Sequence, residues 1–262
     1  STLLQLVGDL PGHKPLVLQG TSYLPSLEGM TWETMPPDAK RLLKRARIGV
    51  NIILTENSIQ SQYELFQRLN TGGVRLESQE IRNCLIIMLD ESVYERINEL
   101  KSYENFKKCL TLTEDKYKVE YHMELIVRYL IAKRNKVVYS DYNISTEKLP
   151  DFLDKEIVKL IADQEFDLNK EIEIFKKVFD KLAVTMGEKL FKKYNVEKGK
   201  FEGAFSNASF EAILVGTAEN MDTINWSTYE EKVIRMYSQE KFIKFADRGI
   251  KVVNRFKELN DF

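Results

Sequence analysis

The stretch LNKEIEIFKKVFDKLAVTM, residues 168–186, carries the clearest structural signal in the chain. Its large apolar side chains recur every three or four residues, which is the spacing of one face of an α-helix. Charged residues fill most of the other positions, and Glu173 and Lys177 lie one turn apart, where they can pair on an exposed face. The pattern predicts a long amphipathic helix with a buried apolar stripe made of Leu168, Ile172, Phe175, Phe179, Leu182 and Met186.

The same helical period covers most of the chain on both sides of this stretch. It predicts further helices at about residues 58–69, 78–90, 92–110, 115–135, 146–164, 207–219, 227–238 and 240–259. Two short apolar runs near the N-terminus, Pro15–Leu18 and Ile48–Thr55, predict strands. We therefore expect an α+β fold that is predominantly α-helical. A small α/β part over residues 1–90 is followed by a multi-helix domain over residues 91–262.

Composition excludes several classes of function. The 39 basic and 40 acidic side chains nearly cancel, so no global field draws the chain to nucleic acid or to an anionic membrane. No apolar run approaches the roughly 20 residues that a membrane span needs. Cys84 and Cys109 lie in predicted helices and nothing resembles a secretion signal, so we expect a cytoplasmic protein with reduced thiols. Two cysteines and two histidines cannot close a zinc site without carboxylates, and we predict no metal site.

The densest polar chemistry lies in FQRLNTGGVRLESQEIRN, residues 66–83, which we call the signature segment. It combines three arginines with a diglycine and the start of a helix. Glycines let backbone amides approach a ligand, a helix N-terminus offers unpaired N–H groups, and arginines bind phosphate through two parallel hydrogen bonds. The composition indicates an anion-binding site. The spacing alone slightly favours the simpler alternative, a capped helix, a turn and a second capped helix with solvated arginines.

The signature segment resembles the Phe-x-Arg-Ile/Leu-Asn-Thr-Gly-Gly-x-x-Leu-x-x-Gln-Glu-Ile-Arg-Asn motif of the GmrSD-type, ParB-like family, found in type IV restriction enzymes and SspE-like phage-defence proteins. The resemblance covers about residues 1–90 well and the helical remainder only loosely. It implies a module that binds an NTP, either GTP or ATP and with Mg²⁺ as the accompanying ion, and that hydrolyses it in some members.

The resemblance also bears on catalysis. In the family, an Asp-Gly-Gln-Gln-Arg loop is the best candidate for hydrolysis, and it precedes a helix that reads Leu-Thr/Ser-Thr-Leu. This chain opens with Ser1, Thr2, Leu3 and Leu4, so we expect it to begin just after that loop. We therefore assign no catalytic residue, and NTP hydrolysis is expected only of a protein that includes the loop.

Nine positions of the signature segment match the family's motif and are implied to bind the nucleotide. Arg68 and Arg82 are expected to contact phosphate, Asn70 to hydrogen-bond at the helix end, and the two glycines to allow close approach of the backbone. Glu80 is expected to orient water or to hold Arg68. For the first helical turn a simpler alternative stays open, because a carboxylate there complements the helix dipole and buried amides often satisfy nearby backbone. The nine positions are Arg68, Asn70, Thr71, Gly72, Gly73, Gln79, Glu80, Arg82 and Asn83.

These observations favour a nucleotide-sensing regulatory module of a bacterial anti-phage defence system. With only two histidines and no His-Asn-His arrangement, the chain is expected to act with a nuclease partner or a fused nuclease domain. One alternative is a DNA-binding, ParB-like module that reads modified or foreign DNA without using nucleotide; the basic stretch 40–47 supplies local charge for it. A purely structural helical scaffold is the third. Self-association of the chain is left open, and no membrane partner is expected.

Overall fold

The computed structural model describes residues 2–47, 49, 61, 63–65, 68, 76–247 and 249–260. Over these residues the chain is mostly helical, and its only sheet has two antiparallel strands. The predominantly helical α+β class predicted from the sequence is therefore confirmed. The chain forms two compact units, residues 1–55 and residues 56–262.

The first unit contains two short helices, α1 (Thr2–Val7) and α2 (Pro37–Arg45), and a 3₁₀ turn at Pro25–Leu27. Helix α2 begins with a proline, which is tolerated at the first helical position because the N–H there has no helical partner. The carboxylate of Glu28 binds backbone N–H groups within the loop that joins the two helices. Glu28 accepts hydrogen bonds from the backbone N–H groups of Gly20, at 3.0 Å, and Thr21, at 2.8 Å.

The predicted strand at Pro15–Leu18 is wrong, because these residues form no strand and join no sheet. Their backbone hydrogen bonds go elsewhere: Leu16 donates to the carbonyl of Gln5, and Leu18 exchanges hydrogen bonds with Gly29 and Met30. Pro15 in addition has no N–H to donate. The second predicted strand, residues 48–55, lies outside the described residues except for Gly49.

The second unit is built from helices, and the described residues between 61 and 68 are also helical. Its apolar core includes Phe106, Phe175 and Phe179, whose rings meet at centroid distances of 4.6–5.2 Å. The helices are α3 (Ser78–Leu89), α4 (Glu91–Lys101), α5 (Glu104–Cys109), α6 (Glu114–Lys118), α7 (Tyr121–Arg134), α8 (Leu149–Ala162), α9 (Leu168–Thr185), α10 (Asn207–Glu219), α11 (Tyr229–Met236), α12 (Glu240–Phe245) and α13 (Val252–Asn260).

Helix α9 confirms the amphipathic pattern of the opening stretch. Five of the six stripe residues are buried, and the sixth, Ile172, is partly buried against the core. Helix α5 packs along α9, so the stripe faces a neighbouring helix as its apolar width requires. Short 3₁₀ turns at Tyr139–Asp141, Gly187–Lys189 and Trp226–Thr228 connect other helices of this unit.

Three predicted helices are each divided in two. Residues 92–110 form α4 and α5, residues 115–135 form α6 and α7, and residues 240–259 form α12 and most of α13. The second division has a clear cause, because Glu120 adopts the left-handed conformation, with φ of 56°. Lys101 donates to both oxygens of the Glu120 carboxylate, at 3.0 and 3.2 Å. A tertiary ion pair thus accompanies a helix break that periodicity does not reveal.

A hairpin that the sequence did not predict follows α9. Strands β1 (Lys193–Asn195) and β2 (Lys200–Glu202) pair antiparallel, with Tyr194 opposite Phe201. Their rings contact at 5.0 Å, a cross-strand aromatic pair of the kind that stabilises short sheets.

Helix α3 belongs to the second unit, where it packs against α4 and α8. The compact units divide between residues 55 and 56, and the domain boundary at residue 90 stays a prediction. Within the described part of the chain, no helix has both the length and the apolar character that crossing a bilayer requires.

Candidate functional site

The structure describes only part of the signature segment. Asn70, Thr71, Gly72 and Gly73 lie outside the described residues, so their predicted contacts with nucleotide stay predictions. Arg68 is helical and exposed. The second half of the segment, from Leu76 onward, is described fully and leads into α3.

Arg82 lies inside the second unit, with none of its surface exposed. Its Nε donates to Oδ1 of Asp154 at 2.7 Å, and its Nη2 donates to the carbonyl of Pro150 at 3.3 Å, both on α8. Its Nη1 donates to the side chain of Gln79 one turn earlier. A phosphate contact at Arg82 would have to displace these partners. These contacts join α3 to α8, and the phosphate contact implied for Arg82 stays a prediction.

The other polar residues of this turn have partners within the protein. Nε2 of Gln79 donates to Oδ1 of Asn83 at 2.8 Å, and both side chains are buried. Glu80 accepts from the backbone N–H of Glu77 at 2.8 Å, which closes the N-terminal turn of α3. Glu80 therefore makes the backbone contact of the simpler alternative, whereas Gln79 and Asn83 bond to side chains. The nucleotide contacts implied for all three stay predictions.

A cavity of about 500 Å³ lies beside this turn, within the roughly 300–1,000 Å³ typical of small-molecule sites. Tyr63, shortly before the signature segment, and Leu85, shortly after it, both line the cavity, so the two flanks of the segment meet there. Helix α8 supplies the rest of the lining: Asp151, Asp154, Lys155, Val158 and Lys159.

Asp154 joins the cavity to the buried arginine. Its second oxygen, Oδ2, accepts a hydrogen bond from the Tyr63 hydroxyl. Burial raises the pKa of the Asp154 carboxyl, while the charge of Arg82 and the hydrogen bond from Tyr63 act in the opposite direction. Asp154 therefore holds both the arginine within the signature segment and the tyrosine that precedes it.

The two lysines of the cavity are part-exposed and paired with carboxylates. Nζ of Lys155 lies 2.8 Å from Glu147, and Nζ of Lys159 lies 2.8 Å from Glu156. Both ammonium groups also lie over the ring of Tyr142, at 5.5 and 5.3 Å from its centroid. Because a lysine side chain is long and flexible, either ammonium group can turn from its carboxylate toward an anion in the cavity.

The Arg82–Asp154 pair begins a longer row of buried charges. Nη1 of Arg82 lies 3.8 Å from Glu124, and Glu124 accepts from Arg128 at 2.6 Å. Arg128 in turn donates to Glu211 at 2.7 Å, and Glu211 accepts from Nε of Arg255 at 2.7 Å. Acidic and basic side chains alternate along this charge chain, which crosses helices α8, α3, α7, α10 and α13 through Asp154, Arg82, Glu124, Arg128, Glu211 and Arg255.

The charge chain follows from the burial of two helices on all sides. Residues 122–131 of α7 and residues 208–215 of α10 are buried without interruption, so their charged positions cannot reach water. A charge removed from water needs an oppositely charged partner, and each member of the chain has one. Burial disfavours a charged Arg128, but the neighbouring Glu124, Tyr121 and Glu211 outweigh it and raise its pKa.

Four residues of the cavity were not predicted from the sequence as site residues: Tyr63, Asp154, Lys155 and Lys159. The available signal was weak, because Asp151, Lys155 and Lys159 recur every four residues along one face of a helix that otherwise reads as amphipathic. Such a row is most often a solvated face. Among the described residues, no cluster of three or more His, Cys, Asp or Glu side chains could hold a metal ion.

In comparisons with known proteins, no family model, no curated protein and no solved structure matches the chain. The resemblance of the signature segment to the GmrSD-type family therefore stays a prediction that depends on the motif alone.

Proposed function

We propose that the chain is the nucleotide-binding regulatory module of a bacterial anti-phage defence system, similar to the GmrSD-type modules of type IV restriction enzymes. One observation carries the proposal: the flanks of the signature segment, Tyr63 and Leu85, line a single cavity into which Lys155 and Lys159 bring positive charge. The flanks of a segment that the resemblance implies to bind phosphate, and two basic side chains, thus adjoin one cavity of suitable size.

The ligand in this proposal is GTP or ATP. Lys155 and Lys159 supply mobile cations for the phosphates, and the glycines and Arg68 of the signature segment supply the contacts expected from the motif. The carboxylates of Asp151 and Asp154 would repel bare phosphate. A Mg²⁺ ion bound between carboxylate and phosphate removes that repulsion, so the lining suits a nucleotide that carries Mg²⁺.

The proposed regulation starts from the contacts of Arg82 and Asp154. A nucleotide beside Asp154 changes the electrostatic environment of the Arg82 pair, and the charge chain extends from that pair to α13. We place the destructive chemistry in a nuclease partner or fused nuclease domain that responds to this change. We also propose that residues 1–90 are the remaining part of a ParB-like α/β domain.

Titration calorimetry with GTP and ATP, each with Mg²⁺, tests the proposal on the full chain. We expect one saturable site, with affinity reduced about tenfold or more by Lys159→Ala or by Arg68→Ala, because each change removes a charge-assisted contact. Lys177→Ala, at an exposed lysine of α9, is the matched control and leaves affinity unchanged. Absence of saturable binding by both nucleotides contradicts the proposal.

One observation favours DNA binding as a second candidate function. Helix α2 presents Arg41, Lys44 and Arg45 on exposed positions, and the ammonium of Lys44 lies 5.8 Å from the Trp32 ring centroid. Such a basic surface can contact phosphates of a duplex. Salt-dependent binding of duplex DNA without nucleotide, weakened by Lys44→Ala together with Arg45→Ala, would support this candidate over the first.

A further inference from the structure

Two helices of the second unit, α7 and α10, end beside one cavity that the proposed function does not use, and α13 contributes Asn260 to its lining. The cavity has a volume of about 510 Å³ and is lined by the last turns of α7 and α10 and by Asn260, the last residue of α13. The carbonyl groups of a helix's last turn lack helical partners and carry the negative end of its dipole. The ends of α7 and α10 therefore favour a negative potential in this cavity.

The side chains of the lining reinforce that potential. Asn220 and Asn260 each donate an amide N–H to a carbonyl of their own helix, Gly216 at 2.9 Å and Phe256 at 2.6 Å. Each therefore keeps its amide oxygen as an acceptor for other groups. Glu219 adds a carboxylate whose side chain is 50% exposed.

Two lysine side chains of the protein, Lys133 and Lys257, lie near this cavity. Lys133, in the last turn of α7, lies 3.8 Å from Glu219, near the outer limit of an ion pair. Lys257 lies over the ring of Tyr139, which also lines the cavity, at 5.7 Å from the centroid. Positive side chains are stabilised at helix C-termini. The distance of 3.8 Å between Lys133 and Glu219 is longer than a hydrogen bond, so the Glu219 carboxylate can still accept one from a closer donor.

We propose that this cavity is a binding site for a small organic cation, a primary amine of a few carbon atoms. The ammonium group donates to Glu219 and to the amide oxygens of Asn220 and Asn260, and the carbon chain lies against the apolar part of the lining, Ile131 and Val215. A divalent metal ion fits less well. Ca²⁺ needs six or more oxygen ligands at about 2.3–2.6 Å and Mg²⁺ an octahedron of oxygens at about 2.0–2.1 Å, whereas Glu219 is the only carboxylate of the described lining.

Calorimetric titration of the full chain with putrescine at low ionic strength tests this proposal. We expect one saturable site that weakens as salt is added. The neutral analogue 1,4-butanediol, which has hydroxyl groups in place of the amines, gives no saturable binding. Saturation by calcium chloride in place of putrescine, or equal binding of the diol, would overturn the assignment of the ligand class.

Two variants tie the binding to this cavity. Glu219→Gln removes the carboxylate at a part-exposed position and weakens putrescine binding about tenfold or more. Gly216→Leu places a side chain in the cavity, where an added Cβ meets no atom within 4 Å, and it also weakens binding. Glu173→Gln, at an exposed position of α9, is the control for lost charge. Putrescine affinity unchanged in both test variants, with thermal melts confirming their folding, would place the bound amine elsewhere and refute the proposal.

Discussion

Arg82 and Asp154 form a buried ion pair in which Nε of the arginine lies 2.7 Å from Oδ1 of the aspartate. The pair joins the signature segment to α8, so its loss should be felt in stability. Arg82→Ala leaves Asp154 as an uncompensated charge in a largely buried position. We expect the free energy of unfolding to fall by about 3–5 kcal/mol, measured by urea denaturation.

An exposed arginine provides the comparison for this variant. Arg235→Ala on α11 should change the free energy of unfolding by no more than about 0.5 kcal/mol. If Arg82→Ala keeps its stability and loses only nucleotide affinity, Arg82 does not stabilise the packing of α3 on α8. That result would support the phosphate contact that the motif implies.

The sequence could not distinguish these two roles for Arg82. The motif places an arginine in the first turns of a capped helix, which suits a phosphate ligand and a buried carboxylate equally well. The deciding partner, Asp154, lies 72 positions further along the chain, and no local spacing connects them. By contrast, the start of α3 just after Glu77 was predicted closely, because capping chemistry involves neighbours in sequence.

Glu211 holds α13 to α10 through Arg255. Both oxygens of the carboxylate accept from the guanidinium, at 2.7 and 3.2 Å, and one of them also accepts from Arg128. Glu211→Gln removes the charge that both arginines share. Amide hydrogen exchange should therefore quicken at Val252–Asn260 more than at Leu149–Ala162. Glu173→Gln should leave the exchange rates of both helices unchanged. If Glu211→Gln also leaves the exchange of α13 unchanged, the charge chain does not hold α13 in place.

His122 makes stability depend on pH. Burial lowers the pKa of this imidazole below its ordinary value, with Lys101 and Lys107 adding to the effect and Glu120 opposing it. Its Nδ1 has no hydrogen-bond partner among the described residues. In the unfolded chain a histidine titrates near 6.5, so between that pH and the lowered folded value the unfolded chain binds more protons. The free energy of unfolding should therefore fall as pH is lowered through this interval.

Urea denaturation at about pH 7.5 and about pH 5.5 measures this dependence. His122→Gln should lose less stability on acidification than the unmodified protein does, because its side chain does not titrate. His13→Gln, at an exposed turn, should keep the full loss. Equal losses in the unmodified protein and both variants would show that His122 does not contribute.

The fold itself was predicted where its cause is local. The stripe of α9 follows from side-chain period, and α9 and α10 both form within two residues of their predicted bounds. The breaks within residues 92–110 and 115–135 were missed because they involve distant groups. Tyr103 donates to Asp180 across helices, and Glu120 is paired with Lys101, so tertiary partners stabilise turns in sequences whose own preference is helical.

Two glycines of the second unit should respond in opposite directions to the same substitution. Gly216 lies within α10, its φ is outside the left-handed region, and an added Cβ meets no atom within 4 Å. Gly216→Ala should therefore stabilise the protein by about 0.5–1 kcal/mol, because alanine loses less backbone entropy in a helix. Gly187 follows the end of α9 and has a φ of +54°, in the left-handed region. An added Cβ meets no atom within 4 Å there either, but the backbone conformation strains an alanine by roughly 1–2 kcal/mol. Gly187→Ala should destabilise the protein by about that amount. Urea denaturation of both variants compares them directly, and a loss of stability in Gly216→Ala would show that the cavity beside it is occupied in solution by something that an added methyl group displaces.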